Sequence, residues 1–348
     1  MAMWRDLIRL ERLAPERDAP GGGASAVLFI TNMWPDEVRP YYGSFIASQA
    51  RSLARAGVAV DVLYVRGYLG TQAYAKALAT VPLTARRKPY DLVHVHYGHT
   101  AAVSLAGPRR PLIISFCGED VLGAPRGDGL SAKSRAEMRV FRHLGRFADA
   151  TITKSAEMEA ALPPALRARN HVLPNGVDLQ RFAPRPRAEA RAALGWAPDE
   201  KIMLFLGNPD DPRKNVALAR EAADLVVARM PGARLHVAWA VEPDAVPVHL
   251  NAADCLLFAS RSEGSPNAIK EAMACETPIV ATPVGDVPER LEGVANTWVR
   301  LPTPEAFADA LVEALHADRA PAARAAVAPL GLDRVADRLL SIYEEAAA

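Results

Sequence analysis

From Ala24 onward, short apolar runs rich in β-branched residues alternate with longer stretches in which apolar side chains recur at helical spacing. The apolar runs predict strands at 26–32, 58–65, 91–96, 111–116, 150–154 and 171–174, with helices at 43–57, 72–86, 99–106, 131–148 and 156–168 filling the gaps. Phe182-Ala183-Pro184-Arg185-Pro186 interrupts the rhythm. A second series then predicts strands near 201–206, 233–239, 254–259, 278–282 and 296–300. Strands that are apolar on both faces belong in parallel sheets covered by helices on either side. The pattern thus predicts an α/β protein of two doubly wound, Rossmann-like domains, with ligands expected beyond the carboxyl ends of the strands and in a cleft between the domains. A length of 348 residues is enough for two cores.

The expected boundaries are an N-terminal appendage at 1–23, a first domain at 24–178, a second at 179–332, and a C-terminal helix within 333–348 that crosses back to the first domain. The appendage reads as a short helix broken by Pro15, Pro20 and three glycines. Residues 174–186 read as a hinge.

Composition adds mainly exclusions. The formal net charge is +1 and the cations are scattered, so nucleic acid is not an expected partner. A local basic face around Arg86, Arg87 and Lys88, or Arg109 and Arg110, could meet anionic lipid. Cys117, Cys255 and Cys275 share no metal-type spacing. Charged residues at Arg5, Asp6, Arg9, Glu11 and Arg12 argue against a secretory signal, and no run approaches the roughly 18 apolar residues of a membrane span. The expectation is a cytoplasmic, reduced protein, monomeric or homodimeric, with at most peripheral contact at the inner membrane surface.

The richest segment runs from Arg261 to Glu276, where Glu263 and Glu271 stand eight positions apart between two predicted strands. Ser265 suits an N-cap and Pro266 the first helical position, so a helix should start there with its free N–H groups forming a phosphate site. Glu263 then lies on the loop, and Glu271 about one and a half turns into the helix. Lys214 follows the apolar run ending at Phe205-Leu206-Gly207 and offers a flexible ammonium near a strand end. His94 and His96 share one strand face; one can be a satisfied core group, and His96, nearer the strand end, is the functional candidate. Nothing basic in the local sequence would depress the Cys117 thiol pKa, so Cys117 reads as a packing residue. Asp286 reads equally as a helix cap or a ligand contact.

Taken together, these stretches resemble the retaining nucleotide-sugar glycosyltransferases of the GT-B fold, family 4. Ser262-Glu263-Gly264-Ser265-Pro266-Asn267 through Glu271-Ala272-Met273-Ala274-Cys275 is similar to that family's E-x7-E signature. Phe205-Leu206-Gly207 before Lys214, Leu173-Pro174-Asn175-Gly176-Val177-Asp178 before Phe182, Val284-Gly285-Asp286-Val287, Asn32-Met33-Trp34-Pro35 with Tyr42-Gly43-Ser44-Phe45, and His94-Val95-His96-Tyr97-Gly98 are similar too. The resemblance implies transfer of a sugar from a nucleoside-diphosphate donor to a hydroxyl acceptor with retention and without metal. By the family pattern Glu271 would hold the ribose and Glu263 the sugar. Lys214 and Arg213 would neutralise the diphosphate. Gly43, Gly207, Asn208, Gly264 and the helix start at Ser265, Pro266, Asn267 and Ala268 would frame the donor.

Tyr42, Cys117 and Asp120 would face the acceptor, whose pocket the loops at 34–45, 66–72 and 117–130 would build. Three positions depart from the family pattern. Asn208 replaces a common Arg, Cys117 a common His, and Glu276 a frequent Gly whose loss should matter mainly for the turn. A nucleotide-sugar epimerase or hydrolase, or a non-catalytic binding module, remains open on these residues. A dinucleotide-binding dehydrogenase does not fit, because no G-x-G-x-x-G follows the first strand of either half.

Overall fold

The computed structural model describes residues 7–16, 25–123, 125–126 and 129–348. They form two compact units, one built from residues up to 123, Leu130–Gly176 and Leu332–Ala348, the other mainly from Val177–Gly331.

The first unit holds a seven-stranded sheet in the order Ile8–Leu13, Ala59–Val65, Ala26–Thr31, Leu92–His96, Leu112–Ser115, Ala150–Thr153, Asn170–Val172. Every pairing is parallel except that of the Ile8–Leu13 edge strand. All residues of Ala26–Thr31, Leu92–His96, Leu112–Ser115 and Ala150–Thr153 are buried, as expected of strands with helices on both faces. The last helix, Leu332–Ala347, buries Leu332, Val335, Ala336, Leu339, Ile342 and Tyr343 along one stripe. It packs on the helix Ser44–Arg55.

The second unit is a five-stranded parallel sheet in the order Ala233–Ala238, Lys201–Leu206, Cys255–Phe258, Ile279–Ala281, Thr297–Val299. Alternation along each strand separates two apolar layers. Leu204, Leu256, Phe258, Ile279 and Ala281 enter one, while Met203, Phe205, Cys255, Leu257 and Val280 enter the other.

Three expectations are corrected. Ile8–Leu13 is a strand, registered antiparallel from Ile8 opposite Val65 to Leu13 opposite Val60. A free sheet edge supplies hydrogen bonds along its whole length, and Leu7 is buried beside it, so pairing outweighs a short helix that would lack nucleus and core. The remainder of the expected appendage, 1–6 and 17–23, lies outside the described residues. The helix expected at 156–168 is two, Ala156–Ala160 and Pro164–Arg167. Pro163 and Pro164 remove two N–H donors and push the residue before each away from helical geometry. The helix expected at 131–148 ends at Leu144 and closes in a 3₁₀ turn, Gly145–Phe147.

Candidate active site

At the carboxyl edge of the second sheet, two loops share one charge cluster. Lys214 Nζ donates to Glu263 Oε1 at 2.6 Å, Arg213 Nη1 to the same oxygen at 2.7 Å, and Ser260 Oγ at 3.3 Å. Arg213 Nη2 also reaches Asp211 Oδ2 at 3.1 Å. The Arg261 N–H donates to the Arg213 carbonyl at 2.8 Å, which locks the two loops together. Burial alone would raise the Glu263 pKa; the Lys214 ammonium and the Arg213 guanidinium outweigh it and hold the carboxyl below its ordinary value. Gly207 explains the lysine's position, since a Cβ there would come within 3.3 Å of Lys214 Cγ. Asn208 builds the approach to the cluster: its Oδ1 accepts the Asp210 N–H at 3.0 Å, and its carbonyl accepts the Asp211 N–H at 3.2 Å.

Glu271 behaves oppositely. It is the fifth residue of the helix Asn267–Ala274 and partly buried, and its carboxylate makes no hydrogen bond or ion pair among the described residues. Burial raises its pKa to about 6, although Arg181, Lys270 and Lys214 pull the other way.

Ser265 and Pro266 shift from their expected roles. The helix starts at Asn267, and Pro266 occupies the cap position with no side-chain cap bond. Ser265 Oγ instead donates to Asp286 Oδ2 at 2.8 Å and receives Lys270 Nζ at 3.1 Å. As a cap the hydroxyl would accept a backbone N–H; here the Lys270 ammonium takes that acceptor role and the buried Asp286 carboxylate accepts the hydroxyl proton, so Ser265 turns toward these charged partners. Asp286, also bound by Arg290 Nη2 at 2.6 Å, serves neither as a side-chain cap nor as an open ligand group. Its N–H donates to the Gly264 carbonyl at 3.2 Å. Gly285 is required beside it, with φ +56° and only 2.3 Å between a hypothetical Cβ and the Gly264 carbonyl oxygen. The loop bearing Glu263 and Gly264 is thereby clamped against the next strand's loop. Asn267 and Ala268 form the first helical turn. Glu276, at φ +58°, takes the left-handed position that ends this helix, so its substitution for glycine is felt in the turn.

In the first unit, His96 is not at an open strand end. It is 1% exposed, its Nε2 pairs with Gln49 Oε1 at 2.8 Å, and its ring stacks on His94 at 4.2 Å. The helix Ser44–Arg55, which carries Gln49, covers the face that the sequence pattern left open. His94 is the satisfied core group, with Nδ1 2.6 Å from Tyr343 Oη and Nε2 2.8 Å from Ser115 Oγ. Burial holds both rings well below the usual histidine pKa.

Asp120 is wholly buried and holds a turn. Its Oδ1 accepts the N–H groups of Cys117 at 3.0 Å and Gly118 at 2.9 Å. Burial lifts its pKa to about 6 against the pull of those amides. Burial also pushes the Cys117 thiol far up, in keeping with a packing residue. Tyr42 stacks under the Arg39 guanidinium, 4.2 Å from ring centroid to Cζ. Gly43, at φ +71°, admits no side chain, because a Cβ would lie 2.3 Å from the Met33 carbonyl carbon.

Sequence reasoning missed Lys154, which follows the strand Ala150–Thr153, is 2% exposed, and has its pKa lowered by burial with Cys117 and Asp120 opposing. A lysine directly after an apolar strand was the available signal. Among the described residues no group of three or more His, Cys, Asp or Glu side chains could hold a metal.

Two family models match the chain: "Glycosyltransferase Family 4" over residues 26–181 and "Glycosyl transferases group 1" over 238–317. The D-inositol 3-phosphate glycosyltransferase of Mycolicibacterium gilvum is 30% identical over 318 residues, covering 80% of this chain and 72% of the relative. That of Geodermatophilus obscurus is 28% identical, with coverage of 80% and 72%. Among solved structures, sucrose-phosphate synthase from Thermosynechococcus elongatus superposes with a TM-score of 0.77 at 17% identity, covering 92% of this chain and 98% of that one. Anabaena HepE in complex with UDP and glucose gives 0.67 at 17% identity, with coverage of 91% and 98%. Two Rossmann-like sheets of GT-B type, both family models and a relative matched over most of its length lead to one conclusion: the chain belongs to glycosyltransferase family 4.

Proposed function

We propose that the protein transfers a sugar from a nucleoside-diphosphate donor, of the UDP-sugar type, to a hydroxyl acceptor with retention of anomeric configuration and without a metal ion. The observation that carries this reading is the pairing of a doubly cation-clasped Glu263 with an unpartnered Glu271 one loop away. Glu271, with both oxygens uncommitted, suits two vicinal ribose hydroxyls. Lys214 and Arg213 already concentrate two positive charges at the strand ends, and a departing diphosphate would take them over from Glu263 as its charge develops. This protein-borne charge supports metal independence. Glu263, released in part, would accept hydrogen bonds from sugar hydroxyls. Because its oxygen is occupied by cations, it is a poor covalent nucleophile, and the diphosphate oxygen itself would take the acceptor's proton.

The test is a panel of nucleoside-diphosphate sugars, with and without divalent metal, screened by thermal shift and then by turnover. Glu271→Ala should raise the donor Kd at least tenfold. Lys214→Ala should lower kcat by about a hundredfold or more, the scale of one lost electrostatic donor. Unimpaired turnover in both variants would refute the assignment.

A further inference from the structure

The opposite edge of the first sheet, at the amino ends of its strands, carries a second constellation. Arg109 and Arg110 lead into Leu112–Ser115, Arg146 and Phe147 precede Ala150–Thr153, and Arg169 precedes Asn170–Val172. With Leu105 they line a cavity of about 430 Å³. Cys117, Gly118 and Lys154 follow the carboxyl ends of these strands, so the cavity is separated from them by the strand length, roughly 13 Å for four residues.

Its electrostatics are unbalanced. Among the described residues none of the four arginines forms an ion pair. The cavity's carboxylate, Asp149, is already occupied by the Leu112 N–H at 2.8 Å. Arg169 is held in place by donating from Nη2 to the Arg146 carbonyl at 2.7 Å, while its Nε is buried without a partner. Arg146 lies over the Phe147 ring at 4.7 Å. Four guanidinium groups against one lining carboxylate, in a chain of net charge +1, are a strong local concentration of positive charge. The other basic stretch differs, because Lys88 is paired with Asp61 at 3.3 Å.

Guanidinium forks match phosphate oxygens in pairs. The rim adds a second requirement: Leu105 is 42% and Phe147 48% exposed, large apolar groups beside the charges. A purely ionic ligand leaves them in water, whereas a lipid surface covers them. We propose that this cavity docks the phosphate headgroups of an anionic membrane, with Leu105 and Phe147 entering the headgroup–acyl boundary. The inference does not depend on the donor-site reading, and its residues lie outside that site.

The experiment is vesicle co-sedimentation of the full chain, using phosphatidylcholine alone and phosphatidylcholine mixed with phosphatidylglycerol. The parent should bind only the mixed vesicles and release as salt rises. Combined Arg109→Ala, Arg110→Ala and Arg146→Ala should cut the partition coefficient on the order of a hundredfold, at about 1 kcal/mol per arginine. Leu105→Ser with Phe147→Ser should cut it about tenfold, a direct measure of apolar insertion. Thermal melts matching the parent certify that the variants fold. Equal partition of the triple-arginine variant and the parent, or no binding of the parent to mixed vesicles, overturns the proposal. In a parallel arm inorganic phosphate is titrated in a thermal shift. A shift that depends on these arginines without vesicle binding assigns the cavity to soluble phosphate and overturns the membrane source.

Discussion

Two glutamates eight residues apart have opposite surroundings. Glu263 is held ionised by Lys214 and Arg213, whereas Glu271 has no partner for its carboxylate and its pKa is lifted to about 6 by burial. The sign for stability follows from linkage: a folded-state pKa above the unfolded value near 4.3 means that the folded chain binds the extra proton between those values. Ionising Glu271 therefore destabilises the fold, fully above pH 6 and not at all below about 4.3. Glu271→Gln should melt higher than the parent at pH 7.5, and the gap should close as the pH falls through 6 toward 4.5. A gap independent of pH would contradict the burial argument. The presence of both carboxylates, and of Lys214 and Arg213 ahead of them, was legible from residue type and spacing. Their division into a clasped and a free carboxylate was not, because it depends on which loop reaches Oε1 across 49 residues of chain.

Elements were legible where their pattern had one solution. Short continuous apolar runs bounded by turn residues, such as the one containing Leu28-Phe29-Ile30, fit strands buried on both faces, and each second-unit strand falls within two residues of its expected limits. Two failures share a cause, local signals weak enough for a neighbour to decide, whereas the break at Pro163-Pro164 is a local proline effect. Ile8–Leu13 becomes a strand because the Ala59–Val65 edge is there to pair with it. Removing residues 1–13 should expose that edge and the apolar surface beneath Leu7 and Ile8, at a cost on the order of 3 kcal/mol. Thermal melting and light scattering would register this as a lower Tm and earlier aggregation; a chain starting at Ala14 that matched the parent in both would show the strand to be dispensable. Ser265 likewise reads as a cap until Lys270 and the loop at Gly285 and Asp286 bring charged partners to its hydroxyl.

At the scale of the molecule, the last helix belongs to the first unit although the whole second unit precedes it in the chain. Tyr343 on that helix reaches His94, inside the sheet, across 249 residues. Tyr343→Phe would leave a buried imidazole nitrogen without its partner, a cost of about 1–3 kcal/mol. Hydrogen exchange should then quicken in Leu92–His96 and Leu332–Ala347 while the second unit's Lys201–Leu206 strand stays protected; unchanged exchange in the first unit would rule out a supporting bond. The sequence alone determined the two α/β units, the family resemblance and most donor-site candidates, because apolar periodicity and short motifs are local properties of the chain. Tertiary structure alone decided that His96 is interior, that Asp120 staples a turn, that Lys154 is buried, and that four unpaired arginines share one cavity. Each of these depends on which distant segments meet, and contact between distant segments sets burial and charge pairing, which neighbours in sequence do not.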